Sequence, residues 1–220
     1  MQGLLTSALF VVGLVSLFSY LPFDWWLSDL ATHFRLQYCL FFAAMALLLA
    51  LFQSWWWAVT ALFLFCLNLV DIAPRWFIEP VPAPNHVESL RIMTFNVNTR
   101  GDPAKALRVI DKAQPDILLL LEVDQQWLMS FAPLRQKFPF QIAQPRTDNF
   151  GIALFSRFAL EAQIVKLGPA QLPSVHAFVD VHGLTLQFWG THPPPPICPT
   201  MSAIRDEQLA ALAQQIQAQP

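Results

Sequence analysis

Of the 13 basic and 15 acidic side chains in this 220-residue chain, only Arg35, Arg75, Asp24, Asp29, Asp71 and Glu79 fall within residues 1–85. The remaining 11 basic and 11 acidic residues lie in 86–220. A soluble domain carries about 25% charged residues; this chain has 13%, with 55% hydrophobic residues, and the shortfall is concentrated in its first part. The distribution predicts a membrane region followed by a soluble α/β domain.

Three apolar stretches, about Leu4–Leu21, Tyr38–Phe52 and Trp55–Val70, stand in the first part. A bilayer core asks for about 20 apolar residues of helix, with a range of roughly 17–25. The second stretch is short but meets the third through only Gln53-Ser54, so the two predict a helical hairpin. Trp55, Trp56 and Trp57 suit the membrane–water interface, where tryptophan is enriched. No basic n-region precedes Leu4, which argues against a signal peptide. The expectation is three N-terminal transmembrane helices over 1–73, a Pro-rich linker over 74–88 and a domain over 89–220. Three spans place Arg35, Arg75 and Arg91 on the domain side and no Lys or Arg on the other. The positive-inside rule then favours a cytoplasmic domain. The four prolines in 74–84 resist helix and favour extended chain.

The soluble part has balanced charge, 11 against 11, and lacks the basic footprint of a dedicated nucleic-acid binder. Cys39, Cys66 and Cys198 show neither CxxC nor metal spacing, so no disulfide framework and no zinc site is expected. From Leu90 to Val97 an alternating run predicts a strand. Asp102-Pro103 predicts a capped helix start, and the helix runs to about Ala113. Ile117-Leu-Leu-Leu-Leu121 predicts a strand buried on both faces. Asp124 caps a second helix with Trp127, Leu128, Phe131 and Leu134 on one face. Strands follow at about 140–143, 151–156, 160–165, 175–181 and 184–189. A last helix over about Thr200–Ala218 aligns Leu209, Leu212 and Ile216. The Pro193–Pro196 run reads as a stiff loop.

Three polar residues stand at strand ends: Asn96, Glu122 after four leucines, and His192 after Phe188-Trp-Gly-Thr191. Strand ends are common sites in α/β folds. A carboxylate at the rim of an apolar strand is expensive unless solvated, paired or bound to metal. Glu122 suits a hard cation such as Mg²⁺, Asn96 can hold the carboxylate or a phosphate oxygen, and His192 can donate to phosphate or transfer a proton. Taken singly, each also has a plain reading: Asn96 as a turn residue, Glu122 as a solvated strand end, His192 as a loop histidine fixed by its prolines.

Together, in this order, they resemble the DNase I-like endonuclease/exonuclease/phosphatase superfamily, nearest its bacterial branch with an N-terminal membrane region. The matching segments are Arg91-Ile-Met-Thr-Phe-Asn-Val97, Pro115-Asp-Ile-Leu-Leu-Leu-Leu-Glu-Val123, Asp148-Asn-Phe-Gly-Ile-Ala-Leu-Phe-Ser-Arg157, Gly190-Thr-His192 and Arg205-Asp-Glu-Gln208. His33-Phe-Arg-Leu-Gln-Tyr38 adds a little in the membrane part. The resemblance implies that Asn96 and Glu122 organise metal and phosphate, with Glu122 the ligand to Mg²⁺ or Mn²⁺. It implies that His192 contacts or protonates the reacting phosphate, that Arg146, Asp148 and Asn149 lie near substrate, and that Ser156-Arg157 and Arg205 are structural. Leu121 stands where many members place Gln before the Glu.

The family's later motifs, Gly-Asp-x-Asn and a terminal Asp-His, occur nowhere in the 220 residues. They would supply the group orienting the nucleophile and the general base. The expectation is therefore the first half of a DNase I-like α/β sandwich: a fragment, a frameshifted reading frame or a decayed gene. Such a half would leave Ile117–Leu121 and Leu184–Trp189 short of cover and the domain poorly stable.

The function expected is that of a membrane-anchored, metal-dependent phosphoesterase of the bacterial inner membrane, inactive in this form. Its partners would be the lipid bilayer and a phosphorylated substrate. The competing expectation is a non-catalytic membrane protein that keeps the half-domain as a binding or scaffold module.

Overall fold

The computed structural model describes residues 1–21, 25–76 and 89–218, with the side chains of Arg75 and Trp76 outside that description. The chain divides into two compact units, residues 1–84 with 195–202, and residues 85–194 with 203–220.

In the first unit, helices α1 (Gln2–Phe18), α3 (Arg35–Leu51) and α4 (Trp55–Ile72) run up, down and up. Gln2 Nε2 donates to Ser54 Oγ at 2.6 Å at one end, and Asn68 Nδ2 donates to Ser16 Oγ at 2.9 Å near the other. The α3–α4 turn bends through Gln53 at φ 58°. Leu9, Phe42, Leu49 and Ala61 form the dry interior. The outward faces are apolar: Trp56 is 87% exposed and Val70 68%.

By length and composition α4 alone can cross a membrane; α2 (Trp26–Thr32) with α3 qualifies as a second span only as one broken element, bent by 63°. The 17-residue α1 is apolar but shorter. The described helices thus offer one or two spans where the hydropathy pattern predicts three. The difference arises because α1 and α3 are each 17 residues long, just short of a span, and α3 is extended only by α2 across a sharp bend. Of the expected linker, residues 74–76 belong to a 3₁₀ turn (Ala73–Trp76) rather than extended chain; residues 77–88 lie outside the described residues.

The second unit is a sandwich. Strands β1 (Ile92–Asn96), β2 (Ile117–Leu121), β3 (Phe140–Gln144) and β4 (Ile152–Ser156) form one sheet in the order β1-β2-β4-β3, with β1 and β2 parallel. Strands β5 (Leu160–Leu167), β6 (Leu172–Val181) and β7 (Leu184–Thr191) form an antiparallel second sheet. The parallel pair needs a crossover, which α5 (Pro103–Ala113) supplies. Asp102 Oδ1 caps α5 by accepting from Ala104 N at 2.9 Å, and Gln114 ends it at φ 45°. Asp124 Oδ1 caps α6 (Gln125–Ser130) by accepting from Trp127 N at 2.8 Å.

The period-2 alternation of β2 sends its side chains to two cores. Leu118 and Leu120 meet Ile110, Trp127 and Phe131 of the helical layer. Ile117, Leu119 and Leu121 meet Val175, Ala177 and Val179 of the second sheet. The approach is closest at Gly190, where an added Cβ would lie 2.7 Å from Leu119 Cδ1. The expectation that β2 lacks cover is therefore wrong: residues 160–191 of the same chain provide it. The open places are the sheet edges. Ile92, in register with Ile117, is 50% exposed, and Leu184 is 63% exposed.

Helix α7 (Pro199–Gln217) also departs from the apolar-face expectation. Leu209 and Ile216 are 41% and 46% exposed, while Gln208 is 1% exposed. Its amide Nε2 donates to Thr191 Oγ1 at 2.9 Å and reaches Ser174 Oγ at 3.4 Å. The helix is seated by a polar contact on two β-strand hydroxyls rather than by its leucines.

Candidate active site at the strand ends

Because β1 and β2 are parallel and pair Asn96 with Leu121, both strands finish at one rim. Glu122 is the first residue beyond β2. It turns through φ 63°, a left-handed conformation that costs an ordinary residue about 1–2 kcal/mol. That turn brings the carboxylate to Asn96, whose Nδ2 donates to Glu122 Oε1 at 2.6 Å. The other end of the same amide is fixed, since Asn96 Oδ1 accepts from Asn98 N at 2.9 Å. His192, just past β7 of the second sheet, places Nε2 at 3.7 Å from the same Glu122 oxygen. The three residues singled out in the sequence thus meet, with side-chain exposures of 17% for His192 and 19% for Glu122.

Burial pushes the His192 pKa below its ordinary value. The Glu122 charge and hydrogen bond and a hydrogen bond with the Asn149 backbone oppose it but do not win. The imidazole is therefore neutral near pH 7, with one proton to give and one lone pair to accept.

The segment 146–151 closes the rim. Arg146 N donates to Val123 O at 3.1 Å, and Val123 N donates to Gly151 O at 3.2 Å. Gly151 cannot carry a side chain there, because a Cβ would sit 1.8 Å from Val123 O. Asn149, at φ 66°, accepts from Thr99 Oγ1 at 3.0 Å, and the Phe150 ring lies 5.7 Å from the His192 ring. Arg146 grips Asp148 with a two-pronged fork, Nε to Oδ1 at 2.8 Å and Nη2 to Oδ2. That hydrogen bonding holds the Asp148 carboxyl below the usual carboxylate range. Asn149 therefore adjoins the Asn96–Glu122–His192 group, whereas the Arg146 guanidinium is committed to Asp148. Thr99, Phe150 and Gly151 carried no chemical signal of their own in the sequence; Phe150 and Gly151 were visible only as part of the Asp148–Arg157 segment. Ser156 Oγ accepts from Phe158 N at 3.0 Å. Arg157 binds Asp116 Oδ1 at 3.2 Å and Gln114 Oε1 at 3.1 Å, tying β4 to the start of β2.

Among the described residues no three His, Cys, Asp or Glu side chains gather into a metal cage. The donor set is one carboxylate, with Glu122 Oε2 unpartnered among the described residues. A closed zinc site needs three or four such ligands. Mg²⁺ binds through one or two carboxylates and keeps several waters, so the donors here fit a largely hydrated Mg²⁺ or Mn²⁺.

The solved structures with this fold include D. rerio TDP2 complexed with a single-strand DNA product, 20% identical, with 60% of this chain and 56% of that chain covered and a TM-score of 0.51. A humanized D. rerio TDP2 carrying 14 mutations is 19% identical, with 60% and 57% covered and a TM-score of 0.50. TDP2 from Caenorhabditis elegans is 16% identical, with 83% and 60% covered and a TM-score of 0.50. The chain thus spans less than two thirds of the length of these proteins. No curated protein sequence matches it. Residues 93–220, more than half of the chain, match the profile of the Endonuclease/Exonuclease/phosphatase family, and the chain belongs to that family.

Proposed function

We propose that the chain is a membrane-anchored, divalent-metal-dependent phosphoesterase, with Asn96, Glu122 and His192 in the reaction centre. The observation that carries this reading is the meeting of an amide, a carboxylate and a neutral imidazole on one oxygen, at 2.6 and 3.7 Å, from three separate strand ends.

Glu122 would hold the Mg²⁺ or Mn²⁺, and the ion would supply positive charge against the phosphate in the transition state. Asn96 keeps the carboxylate turned toward the rim. His192, neutral and half-enclosed, donates its proton to a phosphoryl or leaving-group oxygen. Phe150 and the Asn149 backbone hold that ring in place. Asp148 and Asn149 present polar atoms to a substrate, and Arg146 acts by fixing Asp148.

The substrate is a phosphate ester. One of the similar structures holds a DNA product, yet 11 basic against 11 acidic residues in 86–220 give this domain no electrostatic grip on a polyanion. The apolar outward faces of α1, α3 and α4 support anchoring by three spans. Arg35, Arg75 and Arg91 on the domain side support a domain at the cytoplasmic face of a bacterial inner membrane.

The 220 residues contain neither Gly-Asp-x-Asn nor Asp-His. In this reading turnover needs an orienting group and a general base besides Asn96, Glu122 and His192. A second reading, a non-catalytic module that binds metal or phosphate, is favoured by the single carboxylate among the described donors.

The test uses the full chain in detergent with Mg²⁺ or Mn²⁺ and bis(4-nitrophenyl) phosphate. Saturable metal binding without turnover is expected. Metal-dependent turnover that vanishes in His192→Ala would overturn the need for further groups. No metal binding at all would overturn the phosphoesterase reading. Anchoring is tested separately: the chain should stay in the pellet after an alkaline carbonate wash, and release would sink the membrane assignment.

A further inference from the structure

At the break between α2 and α3 two cavities adjoin. One is an apolar groove of about 690 Å³, walled by Leu14 and Phe18 of α1, Leu27 and Leu30 of α2, and Phe34. The other is a polar cleft of about 660 Å³, lined by Thr32, His33, Arg35 and Asp71 among others. Ala31 and Phe34 face the groove while Thr32, His33 and Arg35 face the cleft, so the break itself is the wall between them. Both volumes fall in the range of about 300–1,000 Å³ typical of ligand sites.

The cleft carries a fixed pair of opposite charges. Arg35 Nε lies 3.3 Å from Asp71 Oδ2, Nη1 donates to Asn68 Oδ1 at 3.0 Å, and the guanidinium carbon sits 3.7 Å above the Tyr20 ring. Asn68 is in turn locked to Ser16 and to Leu64 O. Three partners, Asp71, Asn68 and the Tyr20 ring, therefore hold Arg35 still, with its Nη2 uncommitted among the described residues. Asp71 is the more exposed partner, its side chain 42% exposed against 13% for Arg35. The pair lies where α3 begins and α4 ends, the level of lipid headgroups if these helices span a bilayer.

We infer that this break is a binding site for one phospholipid with a primary-amine headgroup, its phosphate on Arg35, its ammonium on Asp71 and an acyl chain in the groove under α2. The inference rests on the membrane reading given above. Charge complementarity selects the headgroup. A purely anionic lipid would meet Arg35 but bring no cation to Asp71. A choline head has the positive charge but no N–H to donate to the carboxylate. An ethanolamine head supplies both a phosphate for the guanidinium and three N–H donors for Asp71.

The experiment is native mass spectrometry of the full chain with dioleoyl phosphatidylethanolamine, phosphatidylglycerol or phosphatidylcholine added in turn. One phosphatidylethanolamine per chain should survive activation that strips the other two. Asp71→Asn should weaken its retention about tenfold, to the level of phosphatidylcholine, and Asp71→Glu should keep most of it. Leu27→Trp fills the groove wall at a 38% exposed position and should lower retention with the charges intact. It also decides the question if the Asp71 variants do not fold. Equal retention of the three lipids, or full retention in both Asp71→Asn and Leu27→Trp, overturns the inference. If the chain stays in the carbonate pellet, that result leaves the membrane reading standing; release by carbonate overturns both.

Discussion

Gly151 lies directly beneath Val123, so close that a Cβ on Gly151 would come 1.8 Å from the Val123 carbonyl oxygen and 2.9 Å from its carbonyl carbon. The contact is backbone to backbone, and neither partner is a flexible side chain that can swing away. It clips the 146–151 segment onto the residue after Glu122, through Val123 N to Gly151 O at 3.2 Å and Arg146 N to Val123 O at 3.1 Å.

Gly151→Ala should therefore force the two segments apart and destabilise the domain by about 2–4 kcal/mol, at the upper end of the cost of overpacking and above it. Chemical denaturation of the full chain in detergent measures this. A variant within about 0.5 kcal/mol of wild type would show that the rim can open without loss.

Glu122 combines a left-handed backbone with a carboxylate, and the two can be separated by mutation. Glu122→Gln keeps the turn and the Asn96 contact but removes the charge; Mg²⁺ affinity should fall at least about tenfold with little change in stability. Glu122→Gly removes the ligand and also relieves the φ of 63°, so affinity should fall while stability rises by about 0.5–1 kcal/mol. Calorimetric titration alongside thermal melts reads both quantities. Equal Mg²⁺ binding in all three proteins would remove Glu122 from the metal site.

Local chemistry was legible in the sequence, and long-range packing was not. The caps at Asp102 and Asp124 follow from a short acceptor side chain placed ahead of free backbone N–H groups, which needs only a few consecutive residues to recognise. Glu122, Asn96 and His192 stood out because polar groups at the ends of apolar strands are expensive. The left-handed turn at Glu122 gave no sign, since glutamate has no preference for it. The cover for Leu119 was invisible because it comes from β6 and β7, more than fifty residues downstream, and because the fit depends on Gly190 having no side chain. The site for strand β4, between β2 and β3 in the sheet, has no local signature either.

His176 gives the second sheet a pH dependence. The ring is 5% exposed and lies flat on Trp189, 4.0 Å between centroids, with Gln187 Nε2 at 3.0 Å from its Nε2. Burial lowers its pKa below the ordinary 6.5. In the unfolded chain the imidazole protonates as the pH falls through 6.5, while in the folded domain it resists. The unfolded state thus binds more protons over that interval, so stability is full above pH 6.5 and declines as the pH drops toward the folded value. Denaturation midpoints at pH 7.5 and 5.5 should differ more in wild type than in His176→Phe, which keeps the stack but cannot titrate. The same decline in both proteins would assign the effect elsewhere.

Helix α7 supplies a test in which the apolar-face rule and the structure give opposite answers. An apolar-stripe argument holds the helix down by Leu209, Leu212 and Ile216, so Leu209→Ala should be costly and Gln208 replaceable. In the structure Leu209 is 41% exposed and Gln208 1% exposed. Gln208 Nε2 donates to Thr191 Oγ1 at 2.9 Å, and Ser174 Oγ donates to the same Thr191 oxygen at 2.9 Å. The helix backbone is pressed close here as well, since a Cβ on Gly168 would lie 3.2 Å from Gln208 Cα. Removing the amide leaves a small cavity and withdraws a donor from a buried hydroxyl pair, at about 1–3 kcal/mol for the unsatisfied group. Gln208→Ala should therefore lower stability by about 2–4 kcal/mol, whereas Leu209→Ala should stay within about 0.5 kcal/mol of wild type. Thr191 immediately precedes His192, so Gln208→Ala should also loosen the imidazole, seen as a broadened His192 ring resonance in a ¹³C-labelled sample, while Leu209→Ala leaves it sharp. Equal destabilisation by the two substitutions, or a larger loss from Leu209→Ala, would mean that the leucines seat the helix after all.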